Sequence, residues 1–300
     1  MSTQEKQGLV RKSTPADIEM VEVEQLIEIC NKYEGLRMRL DTEPMRKRPG
    51  DNVYDFLYYE DGKLVSYLAL DSFGRKQKEV TGMVHPEYRR RGIFRTLLEA
   101  VKEESIDMGV QKLILVCEEN SLSGLAFVDA IGAHHEFSEY EMVLGTFKEK
   151  FVFDDRFRFQ EANASDFDTI VSIMATDLDE GEGIEGLERW IAKSLQDPNG
   201  HFYLGRFGGD SVSCGEPIGC LRLDEMAKEI GIYGFIVRPD YRGQGYGRQM
   251  LEEAIRTIQS RSSKGIMLDV DTNNTNAIGL YRSCGFEVRA TYAYYGLDLQ

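Results

Sequence analysis

The sequence predicts a mixed α/β (α+β) protein made of two tandem domains, and three observations carry that prediction. A glycine-rich turn, Val237 to Arg248, joins a strand-like run to a helix-like run. A weaker copy of it stands 153 positions earlier, at Val84 to Arg95. Each half then repeats the same order of strands and helices, within a length of 300 residues that suits two domains. Subtracting 153 places Val237, Pro239, Tyr241, Arg242, Gly245 and Arg248 on Val84, Pro86, Tyr88, Arg89, Gly92 and Arg95. Leu268, Asn273 and Gly285 fall likewise on Leu115, Asn120 and Gly132. A register held over about fifty positions marks a duplication, and the unit is too long for a solenoid. The expected boundary lies at Lys148 to Asp155, giving domains 1–150 and 151–300.

In the first half, Leu9 to Arg11 reads as a strand and Asp17 to Tyr33 as a helix with an apolar stripe. Asn52 to Tyr59 and Lys63 to Leu70 form a hairpin across Asp61-Gly62, a dipeptide suited to a tight turn. Glu79 to Val84 is the strand before the turn. Ile93 to Met108 is a helix with Phe94, Leu97, Leu98 and Val101 on one face, and Lys112 to Cys117 is a buried strand. The second half offers a strand at Phe157 to Phe159, a helix at Asp166 to Met174, and a hairpin from His201–Phe207 and Pro217–Leu223. Ile230 to Val237 leads into the turn, Gly247 to Ser260 is the helix after it, and Gly265 to Val270 is the next strand. Strands, then helix, strand and short helix give a mixed sheet.

Composition narrows the function classes. The net charge of −15 divides as −6 on residues 1–150 and −9 on 151–300, so neither half has the basic excess of a nucleic-acid binder. An acidic surface favours cationic substrates such as amines, and also serves solubility alone. The stretch Arg37 to Arg48 is a local basic exception, read as a solvated loop or helix face or as a dock for an anionic group. No run of 18 apolar residues occurs, and Met1 to Lys6 lacks the apolar core of a signal peptide, so no membrane span and a cytoplasmic location are expected. Five cysteines (Cys30, Cys117, Cys214, Cys220, Cys284) without a CxxC pair read as reduced thiols. His134 and His135 are adjacent and point apart on a strand, and no His/Cys cluster has metal-ligand spacing, so no metal is expected.

The turn has the chemistry of a phosphate cradle. Helix N-termini carry unpaired N–H groups and partial positive charge, which a diphosphate satisfies. Close backbone approach needs side chains absent, as at Gly243, Gly245 and Gly247, and Arg242 and Arg248 add positive charge nearby. Alone this is a weak signal, since an ordinary strand-to-helix turn has the same look. It is neither a dinucleotide fingerprint nor a Walker loop. Its companion, Leu268 to Phe286, makes it specific. Arg242-Gly-Gln-Gly-Tyr-Gly247 and the run Asn274, Ala277, Leu280, Tyr281, Gly285, Phe286 together resemble the two signatures of the GNAT superfamily of acetyl-CoA-dependent N-acetyltransferases, [Gln/Arg]-x-x-Gly-x-[Gly/Ala] and Asn-x-x-Ala-x-x-Leu-Tyr-x-x-x-Gly-Phe. The resemblance covers nearly all of 157–295 and extends more weakly over 9–145. It implies two GNAT-like domains, each a mixed, mainly antiparallel sheet flanked by helices, with acetyl-CoA as co-substrate.

Carried over residue by residue, the resemblance implies that the strand Gly234 to Val237 pairs its backbone with the pantetheine arm, and that an N–H near Ile236 or Val237 polarises the thioester carbonyl. Arg242, Gly243, Gln244, Gly245, Tyr246 and Gly247 hold the diphosphate. Asn274 hydrogen-bonds the arm, with Asn276 as a substitute, and Tyr281 protonates the departing thiolate. A phenol near pKa 10 can donate to a thiolate whose acid sits near 8.5. The alternative for Tyr281 is an aromatic core residue. Removing a proton from the acceptor amine needs a base or a water relay. Asp269, mid-strand in Leu268-Asp-Val270, is the candidate base, with Glu229 and Asp271 as alternatives, and a solvent-facing strand residue as the plain reading. The first half departs where it matters: Gly247 becomes Phe94, Tyr281 becomes Val128, Asp269 becomes Val116, Asn274 becomes Ser121 and Phe286 becomes Ala133, while Arg89, Arg90 and Arg91 keep positive charge. The expectation is therefore one active site, in 151–300, with 1–150 structural or substrate-shaping. The acceptor is a primary amine, small or at a peptide N-terminus, met by a monomer or homodimer. A non-catalytic CoA-binding module and a mycothiol synthase-like amino-sugar acetyltransferase are the alternatives. Asp177 to Trp190 and Ala290 to Tyr295 are the expected acceptor-pocket segments, and the acidic run Asp177, Asp179, Glu180, Glu182, Glu185 either attracts a cationic amine or is a solvated loop.

Overall fold

The computed structural model describes residues 6–38, 40, 45, 52–73, 76–150, 154–178, 183–208 and 215–299. Arg39 and Arg46 to Arg48 of the basic stretch, Asp179, Glu180 and Glu182 of the acidic run, Cys214, and Phe151 to Phe153 at the expected boundary lie outside them. The chain forms two compact units. One comprises residues 1–138 with 290–300, the other 139–289.

The first unit runs β1 (Gly8–Lys12), α1 (Asp17–Glu34), β2 (Asp55–Glu60), β3 (Lys63–Phe73), β4 (Gln77–Val84), α2 (Ile93–Asp107), β5 (Lys112–Glu118) and α3 (Leu122–Ala130). The β2–β3 hairpin turns at Asp61 and Gly62, with φ of 49° and 74°, as an Asp-Gly tight turn requires. Strand alternation sends Phe56, Leu68 and Leu70 to one face, against Leu97, Leu98 and Val101 of α2. Leu57, Tyr59 and Tyr67 go to the other, against Met20, Val23 and Leu26 of α1.

The second unit repeats this order with β7 (Phe157–Glu161), α4 (Phe167–Met174), α5 (Ile184–Ser194), β8 (Gly200–Phe207), β9 (Glu216–Glu225), β10 (Glu229–Val237), α6 (Tyr246–Arg261), β11 (Gly265–Asp271) and α7 (Thr275–Cys284). Leu221, Leu223, Ile230 and Ile232 pack against Leu251, Ala254, Ile255 and Ile258 of α6. Phe202, Leu204 and Cys220 pack against Ile170 and Ile173 of α4 and Ile191 of α5. Helix α5 was not anticipated. Its apolar positions Ile184, Leu187 and Ile191 have helical spacing, but the helix begins inside the acidic run that ends at Glu185 and reads as a loop.

The units do not follow the expected 1–150 and 151–300 halves, because the closing strands change places. β6 (His134–Leu144) leaves the first half and pairs antiparallel with β11, from Glu139↔Asp271 to Val143↔Met267. β12 (Phe286–Asp298) pairs antiparallel with β5, from Tyr292↔Glu118 to Asp298↔Lys112. Tyr292 and Tyr294 of β12 are buried beside Ile114, and Tyr294 stacks on Phe137 at 4.2 Å between ring centroids. Glu139–Lys150 thus belongs to the second unit, where Glu149 pairs with Arg256 and the Lys148 carbonyl accepts from Arg248.

Candidate active site

Both units build the same turn in the same backbone shape. In each, a 3-10 turn follows the strand, Pro86–Tyr88 after β4 and Pro239–Tyr241 after β10. The helix then starts from a left-handed glycine, Gly92 at φ 82°, ψ −2° and Gly245 at φ 92°, ψ −8°. The left-handed position two residues before is Gly243 (φ 73°) in one and Arg90 (φ 66°) in the other. Each turn stands where two parallel strands part. The β4–β5 pairing stops at Val80↔Leu115, and the β10–β11 pairing at Ile232↔Leu268.

The units differ in the strand itself. β4 pairs with β3 without interruption from Ser66↔Val84 to Phe73↔Gln77. β10 does not match β9 evenly: Tyr233 opposes Arg222, but Ile236 opposes Cys220, so three steps face two. Such a bulge takes backbone groups out of the ladder and turns them toward an approaching ligand. Gly234 makes it possible, at φ 54°, with Met174 Cε 3.1 Å from where a Cβ would stand. A glycine inside a strand pattern is the signal for such a bulge, and the sequence reading places Gly234 at the start of the arm-pairing segment without reading the bulge. Beyond the bulge, Phe235 joins the core beneath α6 and α7, Ile236 the core beneath α4 and α5, and Val237 the cluster around Tyr246.

Tyr281 sits on α7 beside this bulge. Its ring lies 6.4 Å from Phe235 and 6.0 Å from Phe286, centroid to centroid. The side chain is buried, and burial pushes the phenol up to about 12. It makes no hydrogen bond to the described residues. A phenol so placed keeps its proton at neutral pH and has it available for a neighbouring anion. Both readings of Tyr281 therefore meet in one residue: it is a core aromatic, and its hydroxyl is uncommitted. Asp269 lies on β11 directly opposite Glu141 of β6. Its neighbours Leu268 and Val270 belong to the core around Tyr281, so alternation points Asp269 to the other face of the sheet. The acid and the base candidate thus flank the strand gap from opposite faces. Glu229 stands at the far end of β10 and is held by Arg289, whose Nη2 donates to Oε2 at 2.9 Å, while Arg289 also pairs with Glu141. Asp271 accepts from the Asn273 amide at 2.7 Å and closes the β11–α7 turn. Both alternatives thus carry local contacts of their own.

Other candidates carry local duties. Asn274 is the N-cap of α7, its Oδ1 accepting from the Ala277 amide at 3.1 Å, which leaves its exposed amide NH2 for other partners. Ser121 caps α3 in the same way, accepting from Gly124 at 3.2 Å. Asn276 is exposed on the first turn of α7. Arg242 donates Nε to the Val237 carbonyl at 2.7 Å and Nη2 to Asp177 at 3.3 Å. Its fork braces the turn, and it offers a diphosphate charge rather than a free bidentate edge. Arg248 points away altogether. It binds the fully buried Glu252 at 2.6 Å, Ser283 and the Lys148 carbonyl, so the charge expected of it at the turn is spent inside the unit. Gln244 donates to the Asp240 carbonyl. Tyr246 turns its ring into the core beside Phe207 and its hydroxyl to Asp154, leaving its backbone for the turn. Cβ positions at Gly243 and Gly245 meet nothing within 4 Å, and at Gly247 only Val237 and Leu280, at 3.5 and 3.6 Å. The surface over this turn is open to a ligand.

In the first unit the equivalent turn borders a cavity of about 600 Å³, and Phe94 takes the position of Gly247 in its lining. Phe94 stands edge-on to Phe127 at 4.8 Å, with its Cε2 3.0 Å from where a Cβ on Gly82 would stand. Val128, in place of the tyrosine, is a core residue.

A split strand pair, a glycine turn at a helix start and a buried phenol define a class of acyl-transfer enzymes. The Acetyltransferase (GNAT) family model matches residues 21–132 and again 167–286, and the chain belongs to that family. It is an N-acetyltransferase, and the family's co-substrate is acetyl-CoA, which the open turn and strand gap of the second unit fit. The chain is similar to the [ribosomal protein bS18]-alanine N-acetyltransferase of Escherichia coli K12, at 32% identity over 39% of this chain and 80% of that protein. It is also similar to the mycothiol acetyltransferase of Saccharomonospora viridis, at 27% identity over 78% of this chain and 79% of that one. Among solved structures, a GCN5-related N-acetyltransferase from Sphaerobacter thermophilus matches with a TM-score of 0.79 at 19% identity, covering 97% and 96% of the two chains. A tandem GNAT protein from the clavulanic acid biosynthesis pathway matches at 0.72 and 14% identity, covering 97% and 98%.

Proposed function

We propose that the second unit carries out the transfer, moving acetyl from acetyl-CoA to a primary amine by direct attack, and that the first unit does not catalyse. The supporting observation is the bulge at Gly234 with Tyr281 packed beside it, a pair for which the first unit has an unbroken β4 and Val128. The thioester supplies an activated acetyl group. The amine nitrogen forms a bond to the carbonyl carbon, the carbon–sulfur bond breaks, one proton leaves the amine and one reaches sulfur. The bulged backbone at Gly234 to Val237 faces the carbonyl and stabilises charge on its oxygen. Tyr281 gives its proton to sulfur, and burial keeps that proton in place until it is needed. Asp269, on the opposite face, takes the amine proton directly or through water. Gly243 to Gly247 hold the diphosphate, and Asn274 offers its amide to the arm.

The expected acceptor segment Ala290 to Tyr295 lies on β12, which pairs with β5 within the first unit. The two relatives act, by their names, on a ribosomal-protein alanine and in mycothiol acetylation, which supports acceptors of both kinds, a peptide N-terminus and an amino sugar. The test is Tyr281→Phe with a thiol-release assay over a panel of amines. We expect kcat to fall by about 10²- to 10⁴-fold with KM for acetyl-CoA little changed. Unchanged turnover at every pH would remove Tyr281 from the mechanism.

A further inference from the structure

Tyr140, Met142 and Leu144 of β6 pack in the core around Tyr281, so alternation sends Glu139 and Glu141 to the other face of the sheet. Asp269 of β11 is on that face too, directly opposite Glu141 in the ladder. Directly opposed residues on one face have Cβ atoms about 4.5–5.5 Å apart, and two like charges there disfavour the pairing. Glu141 is nevertheless buried, at 9% exposure, and a cation holds it. Arg289 donates Nε to Glu141 Oε1 and Nη2 to Glu229 Oε2, the latter at 2.9 Å. One guanidinium is thus shared between two carboxylates, and a third, Asp269, stands beside one of them. The rest of the face has partners of its own. Asp271 opposes Glu139 and accepts from the Asn273 amide at 2.7 Å. Tyr233 of β10 turns its hydroxyl to Met267 Sδ at 3.4 Å, and Arg222 of β9 pairs with Asp197 and Asp224. Helices α4 and α5 meet this face over β8 and β9 through apolar side chains, Ile170, Ile173 and Ile191.

We propose that Glu141 is a positioning residue for the transfer: pinned as an anion by Arg289, it raises the proton affinity of Asp269 across the ladder and makes it a stronger base. This role rests on the reading of Asp269 as the group that takes the amine proton. An ionised carboxylate beside a second one disfavours the second charge and raises that group's pKa. Arg289 contacts Glu141 directly and stabilises the charge there, so the proton that two close carboxylates share is the one on Asp269. An ordinary aspartate, near about 3.9, is a weak base toward an ammonium ion, and a base works better the nearer its pKa lies to the working pH. Glu141 reaches this sheet only because β6, encoded in the first half of the chain, pairs with β11.

The carboxyl carbon of Asp269 reads the coupling directly. The full chain, isotopically labelled at its aspartate carboxyl carbons, is titrated by NMR, and the Asp269 signal is the one absent from Asp269→Asn. We expect Asp269 to titrate above the ordinary aspartate value of about 3.9. Glu141→Gln keeps the volume, removes the charge and lowers that midpoint by at least about 0.5 in pH. Glu141→Asp keeps the charge and holds the midpoint above that of Glu141→Gln, which a loosening of the strand pair would not do. In turnover, with an alanine-initiated peptide and with glucosamine as acceptors, the acidic limb of kcat/KM moves to lower pH in Glu141→Gln, because the ionisation of the acceptor is common to both proteins. The proposal is overturned by an Asp269 midpoint at or below about 3.9 in the unaltered chain, a result that needs no variant of Glu141 to fold. It is overturned equally by a midpoint that does not fall in Glu141→Gln, or by a limb that stays in place there while Asp269→Asn abolishes it. A limb that survives Asp269→Asn is a separate result: it counts against Asp269 as the base of the proposed reaction and leaves the titration to be judged by itself.

Discussion

The two turns, one in each unit, share a backbone and differ in what the backbone is for. Gly92 and Gly245 start their helices with φ within ten degrees of each other, and Arg90 holds a left-handed conformation that Gly243 adopts freely. A non-glycine residue there costs on the order of 1 kcal/mol. The duplicated loop shape is thus kept in both units. The units differ instead at the bulge of β10, at Tyr281 against Val128 and at Gly247 against Phe94. On the function proposed above, the strand leading into the loop, rather than the loop, distinguishes the copy that reacts.

Each prediction tests one part of that contrast. Deleting Gly234 converts β10 to the even pairing of β4, and we expect kcat to fall by about 10²- to 10³-fold, the cost of losing a carbonyl-stabilising donor. Circular dichroism shows whether the unit still folds, and normal turnover in a folded variant would break the contrast at its centre. Gly247→Phe copies Phe94 into the second turn. CoA affinity then drops about 10- to 100-fold by calorimetry, because the ring meets Val237 and Leu280 and fills the ligand's path. The pH profile gives a third, smaller effect. In the proposed role of Tyr281 as the acid, its contribution is full below its raised pKa and is lost as pH rises through about 12. No fall in kcat attributable to it occurs up to about pH 10, where an ordinary phenol is already half ionised. A Tyr281-dependent decline between pH 9 and 10, absent in Tyr281→Phe, would show that the ring is not desolvated during turnover. The smallest effect is Arg90→Gly. Relief of the left-handed strain is offset by the greater freedom glycine has when unfolded, so stability rises by no more than about 1 kcal/mol, read from a urea midpoint.

Most of the elements were legible in the sequence, because the hairpin, the glycine turns and the apolar stripes are local signals. The helix at Ile184–Ser194 was hidden by the acidic residues of its solvent face. The fates of Arg242 and Arg248 were not legible either. Sequence shows a charge beside a turn, but only the fold shows that Asp177 and Glu252 claim it. Asn274 also serves as a helix cap, a role that Ser121 fills equally well, which is why the substitution in the first half leaves the local fold intact. The exchange of closing strands had no local signal. β6 and β12 are both plausible partners for either β5 or β11, and the choice is made by burial of Tyr292 and Tyr294 against Ile114, many residues away in the chain.

That exchange has a consequence for the order in which the molecule is made. The first unit lacks its closing strand until residues 290–299 have been synthesised, after every residue of the second unit. The second unit, by contrast, inherits β6 ready-made and needs nothing downstream of Arg289. On a translating ribosome the part encoded first is therefore the part completed last, and its β5 edge waits unpaired while the later-encoded unit assembles. No single cut in the polypeptide yields two whole units. Residues 1–150 taken alone carry a strand that belongs to the other unit and lack the one that belongs to their own.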